Sequence, residues 1–132
     1  MRPEDLVAAA AEARLRAYSP YSKYAVGAAV EAADGEVYTG CNIENVSYGL
    51  TTCAERTAAF AAVCAGRRSW RGLAVVNEDA SPPCGACRQV LAEFAGPELP
   101  IYAATPDGRL RRWTLGELLP FPFSSASVRR DP

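Results

Sequence analysis

Two cysteine-bearing segments, Thr52-Cys53-Ala54-Glu55-Arg56 and Pro82-Pro83-Cys84-Gly85-Ala86-Cys87-Arg88, constrain this chain more than any other feature of it. Each opens a stretch of helical pattern, which sets its cysteines beside the amides of a first helical turn. The partial positive charge there lowers a thiol's pKa and favours the thiolate. A Cys-x-x-Cys at a helix start aims both sulfurs at one point, and Cys53, at a second helix start, can add a third. Three protein ligands with a fourth position left to water is the pattern of catalytic zinc, whereas a structural zinc normally takes four. Taken alone, the Cys-x-x-Cys spacing would also suit a redox dithiol or two buried thiols. Glu55 two residues after Cys53, together with the proline before Cys84, favours the metal.

The cysteine count and the missing histidines sharpen this reading. The chain has five cysteines and no histidine, so a zinc site must be built from thiolates and carboxylates, and a general base cannot be an imidazole. An odd count leaves one cysteine outside any disulfide scheme, and metal binding or catalysis is the better use in a cytoplasmic protein. Cys41, in a strand-like run, and Cys64, late in an alanine-rich helix, are expected to be small buried hydrophobes. A cytoplasmic location is expected because Glu4 and Asp5 stand where a signal peptide would begin basic and apolar. No apolar run approaches the roughly 18 residues of a membrane span. Fourteen basic against fifteen acidic residues give a net charge of −1, which argues against a nucleic-acid partner and for a small molecule.

Periodicity supplies the frame. Leu6, Ala10, Ala13 and Ala17 recur at helical spacing until Ser19-Pro20, which predicts a first helix. Residues 24–33 and 36–43 read as strands joined at Asp34-Gly35, a dipeptide suited to left-handed turn conformations. A helix is expected over 53–65, ended by Gly66, then a buried strand over 73–76 and a loop at Ser81-Pro82-Pro83. A helix over 84–94, strands over 101–104 and 109–113, and a short helix opened by the capping box Thr114/Glu117 complete the series. The order α-β-β-α-β-α-β-β-α predicts an α/β fold: one domain over 1–132, three layers α-β-α, with a mixed five-stranded sheet. Residues 124–132 read as a polar tail.

Longer motifs carry a resemblance. Gly40-Cys41-Asn42-Ile43-Glu44-Asn45 with Ser47-Tyr48, Cys53-Ala54-Glu55-Arg56-Thr57-Ala58 and Pro83-Cys84-Gly85-Ala86-Cys87-Arg88-Gln89-Val90 resemble the small homotetrameric cytidine deaminases. Tyr21-Ser22-Lys23-Tyr24 and Glu117-Leu118-Leu119-Pro120 with Phe123 fit the same family, so the resemblance runs over about residues 18–124. It implies one Zn²⁺ per chain on Cys53, Cys84 and Cys87. It also implies hydrolytic attack at C4 of cytidine or 2′-deoxycytidine, with Glu55 moving the protons and ammonia leaving, as a step of pyrimidine salvage. Arg56 is implied as a donor to the ligand sulfurs. Asn42 and Glu44 are implied to read the ribose, while Tyr24, Ala54, Tyr48 and Phe123 are implied to contact the substrate, the last two from a neighbouring subunit of a homotetramer with shared sites. Tyr24 stands where the family usually has Phe, and Ala25 where it usually has Pro.

Rival readings share part of this evidence. A deaminase of an antibiotic nucleoside, of the blasticidin type, would keep the zinc chemistry and change the Asn42/Glu44 sugar site. A tRNA adenosine deaminase would need a histidine ligand and a basic surface. A zinc-stabilised binding module would need a fourth protein ligand and would give Glu55 no purpose.

Overall fold

The computed structural model describes residues 1–125, so most of the expected polar tail lies outside the described residues. Its elements are Pro3–Arg14 (α1), Gly27–Ala32 (β1), Val37–Cys41 (β2), Ala54–Cys64 (α2), Trp70–Val76 (β3), Gly85–Phe94 (α3), Pro100–Ala104 (β4), Leu110–Thr114 (β5) and Leu115–Leu118 (α4), with a 3₁₀ turn at Tyr48–Leu50. The five strands run in the order β2-β1-β3-β4-β5. Only β3 and β4 pair in parallel; the other neighbours are antiparallel. The sheet is therefore mixed, as the element order predicts.

β1 lies second in the sheet and is buried along its whole length. Its even-numbered Ala28, Val30 and Ala32 join Leu73, Val75, Ile101 and Ala103 in a core against α2 and α3. The alternate residue Ala29 joins Ala74, Val76 and Ala104 on the opposite face, beneath Leu6 and Ala10 of α1. This gives three layers, with one helix on one face and the remaining helices on the other. Burying a leucine such as Leu6 is worth about 1.5–3 kcal/mol, so that single side chain anchors much of the otherwise alanine-lined inner face of α1. No helix among the described residues is long and apolar enough to cross a membrane.

Close backbone approach fixes where α2 begins. A Cβ at Gly40 of β2 would lie 2.5 Å from the Ala58 nitrogen and 2.9 Å from the Ala54 carbonyl oxygen. Only glycine lets the first turns of α2 rest directly on β2, which holds Cys53 and Glu55 at the sheet. The link from β3 to its parallel neighbour β4 runs through α3, so the start of α3 stands past the carboxyl end of β3. Gly27 of β1 pairs with Val76 of β3, which brings residues 24–26 beside the 77–83 loop.

Several boundaries depart from the periodicity. The first helix stops at Arg14 rather than at Ser19-Pro20. The Arg14 Nε donates to the Ala25 carbonyl at 2.9 Å, the Tyr18 N–H donates to the Asn42 carbonyl, and the Glu44 N–H donates to the Tyr18 carbonyl, both at 2.9 Å. A tertiary strand-like bridge thus outcompetes the helix. β1 begins at Gly27 instead of Tyr24 because the Asn42 side chain takes over the ladder there: its Oδ1 accepts from the Val26 N–H and its Nδ2 donates to the Tyr24 carbonyl. In the hairpin, only Gly35 is left-handed; Asp34 instead accepts the Glu36 N–H. Cys64 is exposed and Cys41 half-buried, which corrects the expectation of two buried thiols. Cys64 lies on the outward side of α2 while Ala58, Ala59 and Ala62 fill the inward side.

Candidate active site

Cys53 and Cys84 occupy the position just before the first turn of α2 and α3, both with extended backbone, and Cys87 is the third residue of α3. Two helix starts therefore converge on one point. The ligand sulfurs of Cys53, Cys84 and Cys87 all lie within 4.8 Å of one another, and Cys53 Sγ is 3.8 Å from Cys84 Sγ. Two Zn–S bonds of about 2.3 Å at a tetrahedral angle put sulfurs about 3.8 Å apart. The donor set and its spacing fit zinc, and three ligands leave one tetrahedral position free.

The electrostatics suit a metal that must displace protons. The Cys53 thiol is pulled down to about 5, first because its sulfur accepts the Cys87 S–H and then by the Arg56 guanidinium, against an opposing effect of burial. The Cys87 thiol is pushed up, chiefly because its proton is held by Cys53 and further because it is buried. Cys53 is thus the sulfur most disposed to give up its proton, and the proton between Cys53 and Cys87 is one that a metal would replace. Arg56 Nη2 lies 3.3 Å from Cys53 Sγ, while its buried Nε has no partner among the described residues. Placed there, its charge would offset part of the negative charge of three thiolates around a bound divalent ion.

Glu55, in the first turn of α2, is only 6% exposed. Burial, reinforced by the negative charge of Cys53, pushes its carboxyl up to about 7. Such a group can both hold and release a proton near neutral pH, as general acid–base work requires. A cleft of about 430 Å³ is lined by Cys53, Glu55 and Cys84, a size in the range of small-molecule sites.

Of the other residues singled out in the sequence, Tyr24, Asn42, Glu44 and Ala54 line this same cleft. Asn42 is buried, with its amide tied to the backbone of Tyr24 and Val26. The Glu44 carboxylate accepts from the Tyr21 N–H at 2.9 Å, the Ser22 N–H at 3.1 Å and the Ser22 hydroxyl. The Ser22 hydroxyl is the main cause that holds it below the usual carboxylate range. Tyr48 and Phe123 do not reach the cleft. Tyr48 is 77% exposed and stands edge-on to Tyr21, ring centroids 6.2 Å apart, over an adjoining depression. Phe123 is 65% exposed and is held through its backbone by Gln89. The sequence reading missed Asn77 and Ser81, which also line the cleft; their sole signal was a place in the loop before Cys84.

The family model for the cytidine and deoxycytidylate deaminase zinc-binding region matches residues 1–103. A cytidine deaminase of Sporosarcina psychrophila is 52% identical over 130 residues, which is 97% of this chain and 96% of the relative. The crystal structure of a cytidine deaminase from Burkholderia pseudomallei superposes with a TM-score of 0.88 at 48% identity, covering 93% of this chain and all of that one. A blasticidin-S deaminase of Bacillus cereus is more distant, 28% identical over 78% of this chain and 79% of the relative.

Proposed function

The chain belongs to the cytidine and deoxycytidylate deaminase family, and on that premise we propose that it hydrolyses cytidine and 2′-deoxycytidine to the uridine forms with release of ammonia. The observation that carries this reading is a three-sulfur centre with a buried carboxyl beside it at one cleft. When bound, zinc supplies a Lewis acid able to make water a nucleophile at neutral pH. Cys53, Cys84 and Cys87 hold it, and Arg56 tempers the charge on Cys53. Glu55 takes a proton from the attacking water and delivers it to N3 of the pyrimidine, then takes the remaining proton from the hydroxyl added at C4 and passes it to the departing amine, so that C4 keeps a carbonyl oxygen and expels ammonia. Asn42 and Glu44 bind the sugar, the carboxylate of Glu44 being already oriented by Tyr21 and Ser22. The Tyr24 ring and Ala54 border the base.

Ultraviolet absorbance of the purified protein with cytidine, deoxycytidine, cytosine, adenosine and blasticidin S tests this directly. Only the first two should change. Turnover of blasticidin S alone would replace the reading with the antibiotic-deaminase one.

The reading extends to a homotetramer of single-domain subunits acting on free nucleosides, not nucleic acids, in cytoplasmic pyrimidine salvage. Exposed Val46, Tyr48, Leu50, Phe60 and Phe123 supply apolar surface of the kind that closed symmetric assemblies cover. Tyr48 and Phe123, which do not reach their own cleft, would border a neighbour's. Light scattering during gel filtration should give about four times the 14.1 kDa chain mass. A fully active monomer would exclude the shared site.

A further inference from the structure

The 77–83 loop lines the cleft through Asn77, Ser81 and Pro82 and leads into Cys84, and its conformation is not one the local sequence favours. Ala80 is left-handed, with φ of +55°, a region that costs a residue with a Cβ unless its surroundings hold it there. The Ser81 N–H donates to Asn77 Oδ1 at 2.8 Å and Asn77 Nδ2 returns a bond to the Ser81 carbonyl at 3.0 Å. Arg111, stacked over Trp113, reaches the Ala80 carbonyl at 3.4 Å from β5. From the cleft side, the Tyr24 hydroxyl donates to Asp79 Oδ1 at 2.5 Å. This bond joins the wall that leads into β1 to the wall that follows β3, 55 residues on in the chain.

We propose that the Tyr24 hydroxyl and Asp79 form a latch that holds the 77–83 loop in its substrate-binding geometry, making Asp79 a positioning residue for the deamination. Both partners are in the protonation state the bond needs at neutral pH. Burial and Asp79 push the phenol up to about 12, and the Tyr24 hydroxyl keeps Asp79 below the usual carboxylate range. The end of the loop that carries the metal ligand is tied separately, because the Pro83 carbonyl accepts Arg88 Nε at 2.7 Å. Opening the latch therefore loosens the Asp79–Ser81 stretch and leaves the sulfur centre in place.

The latch rests on the cytidine-deaminase reading for its substrate, so its test has one arm with substrate and one without. Tyr24→Phe keeps the ring and removes the hydroxyl, while Asp79→Ala changes a residue that does not line the cleft. Each should raise KM for cytidine about threefold to tenfold, the worth of one net hydrogen bond, with kcat nearly retained and zinc content at the parent level. Asp79→Asn, whose amide oxygen still accepts, should recover most of the affinity, and the double variant Tyr24→Phe/Asp79→Ala should be no worse than either single one. In the absence of substrate, hydrogen exchange in a peptide covering 77–84 should quicken in both single variants. An active parent with unchanged KM in Tyr24→Phe, or fully additive effects in the double variant, would overturn the latch. If the parent fails to deaminate cytidine, the functional reading falls on its own, and exchange still decides: faster loop exchange upholds the latch, and unchanged exchange overturns it.

Discussion

Glu55→Gln should lose turnover by a factor of about 10³ or more while the chain keeps its zinc, because the amide fills the same space but cannot carry a proton. General acid–base catalysis by one group is typically worth 10² to 10⁴-fold, and in the proposed reaction Glu55 serves the attack, the protonation of N3 and the departure of ammonia. The same substitution should stabilise the metal-free chain in alkaline solution. The carboxyl is raised from 4.5 to about 7 in the folded state, so between those values the folded chain holds a proton that the unfolded chain has released. Stability therefore falls as pH rises through this window, by order of 3 kcal/mol for a shift of that size. The Gln variant has no such proton to lose. Melting curves of chelator-treated proteins at pH 4 and pH 8 should show the parent losing stability relative to Glu55→Gln at the higher pH. A variant within about tenfold of the parent rate would assign the proton transfers to another group, and parallel pH slopes would deny Glu55 its cost of burial.

Cys87→Ala should abolish both zinc binding and activity. Cys87 is wholly buried, and its removal leaves two protein sulfurs where three make a catalytic zinc site. Metal analysis should fall from one zinc per chain to a small fraction of that, whereas Cys64→Ala, on the exposed side of α2, should retain the full amount. A second readout needs no metal. The Cys87 S–H is the largest cause of the depressed Cys53 pKa, so in chelated protein the Cys87→Ala change should raise the pH at which Cys53 becomes alkylated. Full zinc retention would dissolve the three-sulfur centre.

The chemistry of the site was legible because it is written in scarce residues at short spacing. Cys84 and Cys87 sit three apart at a helix start, Glu55 follows Cys53 by two, and the absence of histidine leaves few other donors. Local signals of the same kind also held: Thr114 accepts the Glu117 N–H and the Glu117 carboxylate reaches back, and Gly35 takes the left-handed turn position. Each depends only on residues within a few places of one another.

What the sequence could not reveal depends on partners far along the chain. α1 yields at Arg14 because the backbone of Tyr18 finds Asn42 and Glu44, a choice that helical periodicity cannot register. Asn42, read as a sugar ligand, also completes the sheet at Tyr24 and Val26. Tyr48 and Phe123 do not line their own cleft, and Asp79 meets Tyr24 only because Gly27 pairs with Val76. By itself the sequence determined which atoms can bind zinc and which carboxyl is proposed to move protons, since that is a property of residue type and local spacing. Only the tertiary structure decided which walls surround them, because strand register and backbone contact across tens of residues set those distances, and no short stretch of chain encodes them alone.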